Sequence, residues 1–318
     1  MVLVCPACKG RLIRRSEALS CRRCGEEYPS RWEMGDLRPR RCRSTNGDNG
    51  WNVQDFEKAY EKFGEYASTR EYARRSGISD LLEDYRYPRV KGRLLQWAGE
   101  DRSARSVLDV GCGGGDFLLE IEKRLGSGGS FFAGIDVVPV RIRHSLKKFQ
   151  SKPNFIAVLG SAEELPFADR QFDLITCTEV LEHIEHPEAA LHEIARVLRP
   201  GGTLCLSSPN LTATDFWERA FAPPGALRRL VRGTLFRRVP NPYDKPIGSR
   251  RLLTVLRRAG LRVEDFERNV FLPHESYFQF LPEALERWVI RGGGFLESRA
   301  KALSRWLGLH YVIRARRR

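Results

Sequence analysis

Val107-Leu108-Asp109-Val110-Gly111-Cys112-Gly113-Gly114-Gly115-Asp116-Phe117 decides the fold. Val107 to Val110 read as a short buried strand, and Phe117-Leu118-Leu119-Glu120-Ile121 opens a helix. Strand, glycine turn and helix in that order bring backbone close to a nucleotide-like ligand in a doubly wound α/β domain. Glycines take positive φ there and carry no Cβ to block the approach. Two acids set this turn apart. Asp116 stands where a dinucleotide-binding turn carries its third glycine, and Asp109 lies two residues before the first glycine. A pyrophosphate prefers bare N–H groups and a helix dipole. A carboxylate at the strand end suits a ligand carrying an ammonium group.

Outward from the turn, strand and helix alternate from 106 to 207. Ser130 to Asp136 is the second strand, 140–150 a helix, Asn154 to Leu159 the third strand and Phe172 to Cys177 the fourth. Pro187 to Leu198 reads as a helix closed by the stop signal Arg199-Pro200-Gly201-Gly202, and Thr203 to Ser207 as the fifth strand. This alternation implies a parallel sheet with right-handed crossovers. Ser249 to Ala259 (helix), Gly260 to Phe266 (strand) and Leu309 to Arg316 (strand) are separated from it and from each other by insertions at 211–248 and 270–308. Residues 51–98 show helical periodicity, with Phe56, Tyr60, Phe63 and Tyr66 on one face, and a second helix from about Pro88 to Trp97 leads into the first strand.

The glycine turn resembles motif I of the class I S-adenosylmethionine-dependent methyltransferases, and further stations follow in order. Gly160-Ser161-Ala162-Glu163-Glu164-Leu165-Pro166-Phe167 resembles that family's adenine-binding segment, with Ser161 where the family usually has Asp. Thr176-Cys177-Thr178-Glu179-Val180-Leu181-Glu182-His183-Ile184-Glu185-His186-Pro187 most resembles the ubiquinone-biosynthesis O-methyltransferases and related small-molecule enzymes. The Asn/Asp-Pro-Pro-Tyr loop of enzymes that methylate base or Gln nitrogens is absent. The resemblance implies an α/β fold: a Rossmann-like seven-stranded sheet whose last strand is antiparallel, with helical insertions as a lid. It implies S-adenosylmethionine as cofactor, held by Asp109, Gly111, Gly113, Gly115, Asp136, Val137, Ser161, Ala162, Glu163 and Thr178. Asp109 is expected at the cofactor's amino-acid end and Asp136 at the ribose hydroxyls. His183 is the expected general base, with Glu179 as its catalytic companion.

Glu179, Glu182 and His183 have i, i+3, i+4 spacing and would share one face of a helical turn. Glu-x-x-Glu-His also resembles the divalent-metal motif of some 2′-O-methyltransferases of small RNA and of ubiquinone-pathway relatives. Such a site would let Mg2+ acidify an acceptor hydroxyl, with His274 as a further ligand. The plainer alternative is that Glu182 and His183 hydrogen-bond within the fold.

A second metal pattern opens the chain. Cys5-Pro6-Ala7-Cys8 and Cys21-Arg22-Arg23-Cys24 are two C-x-x-C knuckles twelve residues apart, a spacing that places four thiolates tetrahedrally on one Zn2+. With all four positions filled the zinc would be structural. The run through Glu26-Glu27-Tyr28-Pro29 resembles the short zinc ribbon that partners or precedes many methyltransferases, and Trp32-Glu33-Met34 departs from it. The expected organisation is a ribbon at 1–35, an Arg-, Gly- and Asn-rich linker at 36–50 and a methyltransferase domain at 51–318, with N-terminal helices at 51–98. Cys112, Cys177 and Cys205 read as buried thiols and Cys42 as incidental.

The chain of 318 residues carries a net charge of +14 from 54 basic residues, 44 of them Arg, and 40 acidic ones. Residues 103–210 hold 11 basic and 14 acidic side chains, so the excess lies on the flanks. An anionic surface or substrate would suit such flanks, and so would plain solvation. No apolar run reaches bilayer length and the start lacks a charged n-region, which points to a cytoplasmic enzyme. Leu227, Leu230, Val231 and Leu235 fit one helical face ringed by Arg228, Arg229, Arg232, Arg237 and Arg238. Residues 226–239 are therefore a candidate for peripheral membrane contact. With Phe271, Tyr277, Phe278, Phe280 and Trp288 they suggest a lipophilic acceptor, the alternative being a lid core. The expected function is O-methylation of a small, lipophilic or lipid-linked metabolite. The alternatives are an RNA methyltransferase gripping phosphate through ribbon and flanks, and a regulatory protein that binds the cofactor without turnover. The intact set Asp109, Asp136 and His183 stands against the last.

Overall fold

A computed structural model describes residues 2–15, 18–31, 34–39, 80–101, 103–126, 129–213, 247–272, 282–299 and 306–318. Cys42, the aromatic face of Phe56, Tyr60, Phe63 and Tyr66, the basic stretch 226–239, and His274, Tyr277, Phe278 and Phe280 lie outside these residues.

The central strands are β5 (Ser106–Val110), β6 (Phe131–Asp136), β7 (Phe155–Gly160), β8 (Phe172–Thr178) and β9 (Leu198–Pro209). With β10 (Leu261–Asn269) and β11 (His310–Arg317) they lie in the order β7-β6-β5-β8-β9-β11-β10. Pairings from β7 through β9 are parallel. β11 inserts antiparallel between β9 and β10, as expected for the last strand. Val107, Leu108 and Val110 of β5 are fully buried, because helices cover both faces of the sheet and its strands are apolar on both sides. Strand order reverses at β5, which opens a crevice at the carboxyl ends of β5, β6 and β8.

The helices that follow the strands have plain local causes. α3 (Asp116–Leu125) buries Phe117, Leu118 and Ile121 and closes with Lys123 and Arg124 in its last turn, where cations meet the negative end of the dipole. α4 (Pro139–Phe149) and α5 (Pro187–Val197) both begin with proline, whose fixed φ and missing N–H suit that position. Ahead of the sheet, α1 (Asp80–Arg89) and α2 (Lys91–Glu100) take the place of the single helix expected from Pro88 to Trp97; Pro88 falls inside the last turn of α1. α6 (Ser249–Arg258) precedes β10.

Three sequence expectations change. The helix before Arg199-Pro200-Gly201-Gly202 ends at Val197, but the fifth strand, expected from Thr203, starts at Leu198 and runs twelve residues through that segment, with a register shift against β8. The second insertion contains α7 (Glu283–Arg299), which docks on α1 through Glu297, bonded by Tyr85 at 2.7 Å and Arg89 at 2.6 Å. Trp288 on α7 is 71% exposed, as is Trp306, so neither is the core of a lid, whereas Phe271 is buried. Among the described residues no helix is long and apolar enough to cross a membrane.

The third change concerns the linker. The ribbon strands β1 (Leu12–Arg14), β2 (Ala18–Cys21) and β3 (Glu27–Arg31) form an antiparallel meander, continued by β4 (Met34–Leu37). β4 then pairs parallel with β7, Asp36 opposite Leu159 and Leu37 opposite Gly160, so the start of the Arg-rich stretch is a sheet edge. Arg38 grips Asp36 in a bidentate pair at 2.8 and 2.7 Å, with both side chains almost fully buried. Removing one partner of such a pair strands a buried charge, at a cost of about 3–5 kcal/mol. The ribbon also docks through Val4 N–H to the Pro166 carbonyl at 3.0 Å and Lys9 to Glu193 at 2.7 Å. Cys5, Cys21 and Tyr28 belong to the same buried cluster as Leu165 and Phe167. Ribbon and domain thus share one sheet edge and one core.

The sulfur atoms of Cys5, Cys8, Cys21 and Cys24 lie within 4.8 Å of one another, a grouping that fits one tetrahedral zinc ion. Because the ribbon is part of the common core, Cys21→Ser or stripping by a chelator should lower the thermal midpoint by about 5–10 °C. A metal-free preparation that melts at the same temperature as a zinc-loaded one would remove the structural role.

Candidate active site

The glycine turn joins β5 to α3 at the crevice. Gly111 has φ +73°, and a Cβ there would stand 2.3 Å from Val180 Cγ2, so the segment after β8 can press on the turn only because the residue is glycine. Gly113 has φ +54° and faces open space, leaving its backbone approachable. Its N–H donates to Asp136 Oδ2 at 2.9 Å and its carbonyl accepts from Ser145 Oγ at 2.8 Å. The turn is therefore fixed by two side chains, one from the end of β6 and one from α4. Asp116 opens α3 and pairs with Lys148 at 2.6 Å, a helix-start role.

Asp136 is buried, and its other oxygen accepts from the Val138 N–H at 2.9 Å, with Arg141 3.7 Å away. Val137 is held from the far side: its carbonyl accepts from Arg38 Nη1 at 3.3 Å. Asp109 is buried too, and its Oδ1 accepts from Thr176 Oγ1 at 2.6 Å. Desolvation raises the Asp109 carboxyl to about 7, against the opposing pulls of that hydrogen bond and of the Lys91 charge; Asp136 adds to the rise. Neighbouring carboxyls at two strand ends are thus held in different ways.

Ser161 caps the single 3-10 turn Ala162–Glu164, its Oγ accepting from Glu163 N–H at 3.2 Å, while Glu163 Oε1 accepts from His186 N–H at 3.1 Å. These bonds shape the segment after β7 into a ledge at the crevice. Thr178 ends β8, and its Oγ1 is buried with no hydrogen-bond partner among the described residues. An approachable Gly113, a carboxyl at Asp109 that a cation would ionise, and the orphaned Thr178 hydroxyl together fit a cationic nucleoside ligand such as S-adenosylmethionine.

Beyond Thr178 the chain departs from the expected helical turn. Glu179 takes φ +54°, a left-handed conformation that costs a non-glycine residue roughly 1–2 kcal/mol. Only Leu181–His183 form a 3-10 turn. Glu179, Glu182 and His183 therefore do not share a helical face. Glu179 receives Ser207 Oγ at 2.6 Å and stands 2.9 Å from His310 Nδ1, and Glu182, buried, receives Ser208 Oγ at 3.2 Å. Burial would raise the Glu179 carboxyl; the His310 imidazole 2.9 Å away, then Arg86 and Ser207, outweigh it and hold the group down at about 2. Among the described residues the four cysteines are the one group of three or more side chains gathered closely enough to hold a metal ion, so the expected Mg2+ site at Glu179, Glu182 and His183 is not gathered. A carboxylate held so low is a poor proton acceptor, which leaves the expected base role with His183. His183 sits on the 3-10 turn with its N–H on the Val180 carbonyl at 3.0 Å.

Sequence reasoning missed His310, Arg38, Thr176 and Ser145. Ser145, Thr176 and His310 arrive from elements remote in sequence from Gly113, Asp109 and Glu179; Thr176 opens a quoted motif without a role read for it, and Arg38 pairs with Asp36 two residues before it while reaching Val137.

The methyltransferase domain family matches residues 108–206, and the Trm112p-like protein family matches residues 2–29. A ubiquinone biosynthesis O-methyltransferase of Xanthomonas oryzae pv. oryzae is 36% identical over 175 residues, which cover 54% of this chain and 69% of that protein. The enzyme of the same name from Xanthomonas axonopodis pv. citri is 36% identical over 194 residues, covering 60% of this chain and 74% of that protein. Among solved structures, one from a complex between the Haloferax volcanii Trm112 methyltransferase activator and a methyltransferase matches at 18% identity and TM-score 0.48, over 74% of this chain and 91% of that one.

The raised Asp109 carboxyl sets a pH dependence. A cation bound against it needs the ionised form, which dominates above about pH 7 and is lost as pH falls through that value. Calorimetric affinity for S-adenosylmethionine should therefore fall about tenfold per pH unit below 7, and Asp109→Asn should remove the dependence together with most of the affinity. Equal affinity at pH 5.5 and 8, or an unweakened Asn variant, would refute this role.

Proposed function

Because the chain belongs to the class I S-adenosylmethionine-dependent methyltransferases, being related to the ubiquinone biosynthesis O-methyltransferases along more than two thirds of their length, we propose that it methylates a hydroxyl oxygen of a small, lipophilic or lipid-linked metabolite. The observation that carries this reading is the crevice at the ends of β5, β6 and β8, where a desolvated carboxyl, an open glycine turn and an imidazole-bearing turn meet. When bound, the cofactor supplies an electrophilic methyl carbon on a sulfonium. Asp109 ionises against the cofactor's cationic amino-acid end. Gly111, Gly113 and Gly115 bring backbone to it, and Asp136 with Val137 borders the ribose. Ser161, Ala162 and Glu163 form the ledge under the adenine, and Thr178 Oγ1 adds a donor between cofactor and acceptor. His183 takes the proton of the acceptor hydroxyl, so that the oxygen attacks as its negative charge develops.

The other two readings have less behind them. The matched relatives are named for a small-molecule reaction, which disfavours RNA as acceptor, and a scaffold without turnover has no use for an imidazole at this place. Zinc in the ribbon is read as structural.

Incubation with tritium-labelled S-adenosylmethionine and a cell extract split into lipid, polar and RNA fractions tests the acceptor class: label should enter the lipid fraction as a base-stable ether. Label in RNA alone would overturn the reading. His183→Asn should lower that turnover about 10²–10⁴-fold while leaving cofactor affinity within about threefold, and normal turnover would remove His183 as the base.

A further inference from the structure

The pair between Glu179 and His310 is assigned no part in the chemistry above, yet it joins three chain segments at the mouth of the crevice. Glu179 follows β8, Ser207 lies in β9 and His310 begins β11, 131 positions after the glutamate. β11 runs antiparallel, so its first residue reaches the same edge as the ends of β5 and β8, opposite Pro209 of β9. A clasp fixes it there. Asn210 N–H donates to the Leu309 carbonyl at 2.7 Å, Asn210 Nδ2 donates to the Gly308 carbonyl at 2.8 Å, and Tyr311 Oη donates to Asn210 Oδ1. His310 is itself buried, and its Nδ1 lies 2.9 Å from Oε2 of the half-buried Glu179.

Glu179 in turn carries the left-handed bend from which Val180 is pressed against Gly111 and the chain turns into Leu181–His183. Its backbone N–H donates to the Ser207 carbonyl at 3.2 Å, and its carboxylate is filled by Ser207 and His310. Strained backbone persists only where the surroundings over-determine it. Here the determinants are one serine and one histidine, with Arg86 adding its charge from α1.

We propose that His310 is a positioning residue for methyl transfer, clamping Glu179 so that the Val180–His183 turn is held against the glycine turn. This rests on the methyltransferase reading for its consequence in turnover, but the clamp itself is testable without it. His310 touches neither cofactor nor acceptor in this role; it acts through Glu179, and a small displacement of an aligned group is enough to cost about a hundredfold in rate.

The test uses the full chain and its variants His310→Gln, Glu179→Gln and the double variant. Hydrogen exchange of a peptide spanning 179–186, read by mass spectrometry, should quicken at least tenfold in each single variant and no further in the double one. Exchange in the ribbon and in β5 to β7 should stay unchanged. Calorimetric affinity for S-adenosylmethionine should stay within about threefold, while turnover on the labelled lipid fraction should fall about 10–100-fold in kcat with KM for the fraction little moved. Ser207→Ala, which removes the other support and leaves the charges in place, should give a smaller change in the same peptide and serves if His310→Gln does not fold. Unchanged exchange in His310→Gln, or losses that multiply in the double variant, would overturn the clamp. If no fraction accepts label, the proposed acceptor class fails, and the exchange result still decides the clamp.

Discussion

Desolvation of carboxylates at the ends of adjacent strands is the constraint on which the rest of this molecule depends. An ionised carboxylate taken out of water is stable only where donors or cations replace the lost hydration. Asp136 meets that demand internally, with backbone N–H groups of Gly113 and Val138. Asp109 does not: beyond Thr176 it has the distant charge of Lys91, and its proton is held up to about 7. The first acid fixes the shape of the glycine turn. The second remains a demand for a cation, which is why a sulfonium- and ammonium-bearing ligand suits the crevice better than a pyrophosphate.

Much of this was legible in the residues. The fold could be read because a buried parallel sheet writes apolar runs separated by amphipathic helices, and because the turn needs glycine where Val180 approaches Gly111. The four cysteines could be read because metal geometry dictates spacing. What stayed hidden has a common physical cause. β4 makes a two-pair parallel ladder from Asp36 and Leu37, too short to leave any periodicity, with Leu37 buried in the common core and Asp36 paired with Arg38. The i, i+3, i+4 spacing of Glu179, Glu182 and His183 suggested a helix, but a left-handed residue at the first position breaks it. His310 lies in a basic strand whose neighbour relations exist only after the sheet is assembled.

The N-terminal ribbon is joined to the domain more closely than a tethered module would be. Its strand β4 covers the edge of β7, which would otherwise present unpaired backbone groups to other chains. Arg38 extends the same contact to the Val137 carbonyl, beside the acid at the end of β6. The four-cysteine ribbon and the segment that follows β6 thus share a boundary of one guanidinium.

The placement of β11 between β9 and β10 has a consequence for the order in which the molecule assembles. β10 reaches the sheet only through β11, so the half of the sheet beyond β9 cannot close until residues 310–317 dock. The β9–β11 pairings that this closure needs join residues as far apart as His310 and Pro209 or Arg316 and Thr203, and pairings so distant in sequence form slowly. The half that carries the glycine turn, by contrast, consists of strands that follow one another along the chain. The glycine turn thus rests on pairings among consecutive strands, whereas the placement of His310 beside Glu179 depends on the far more sequence-distant ladder between β9 and β11.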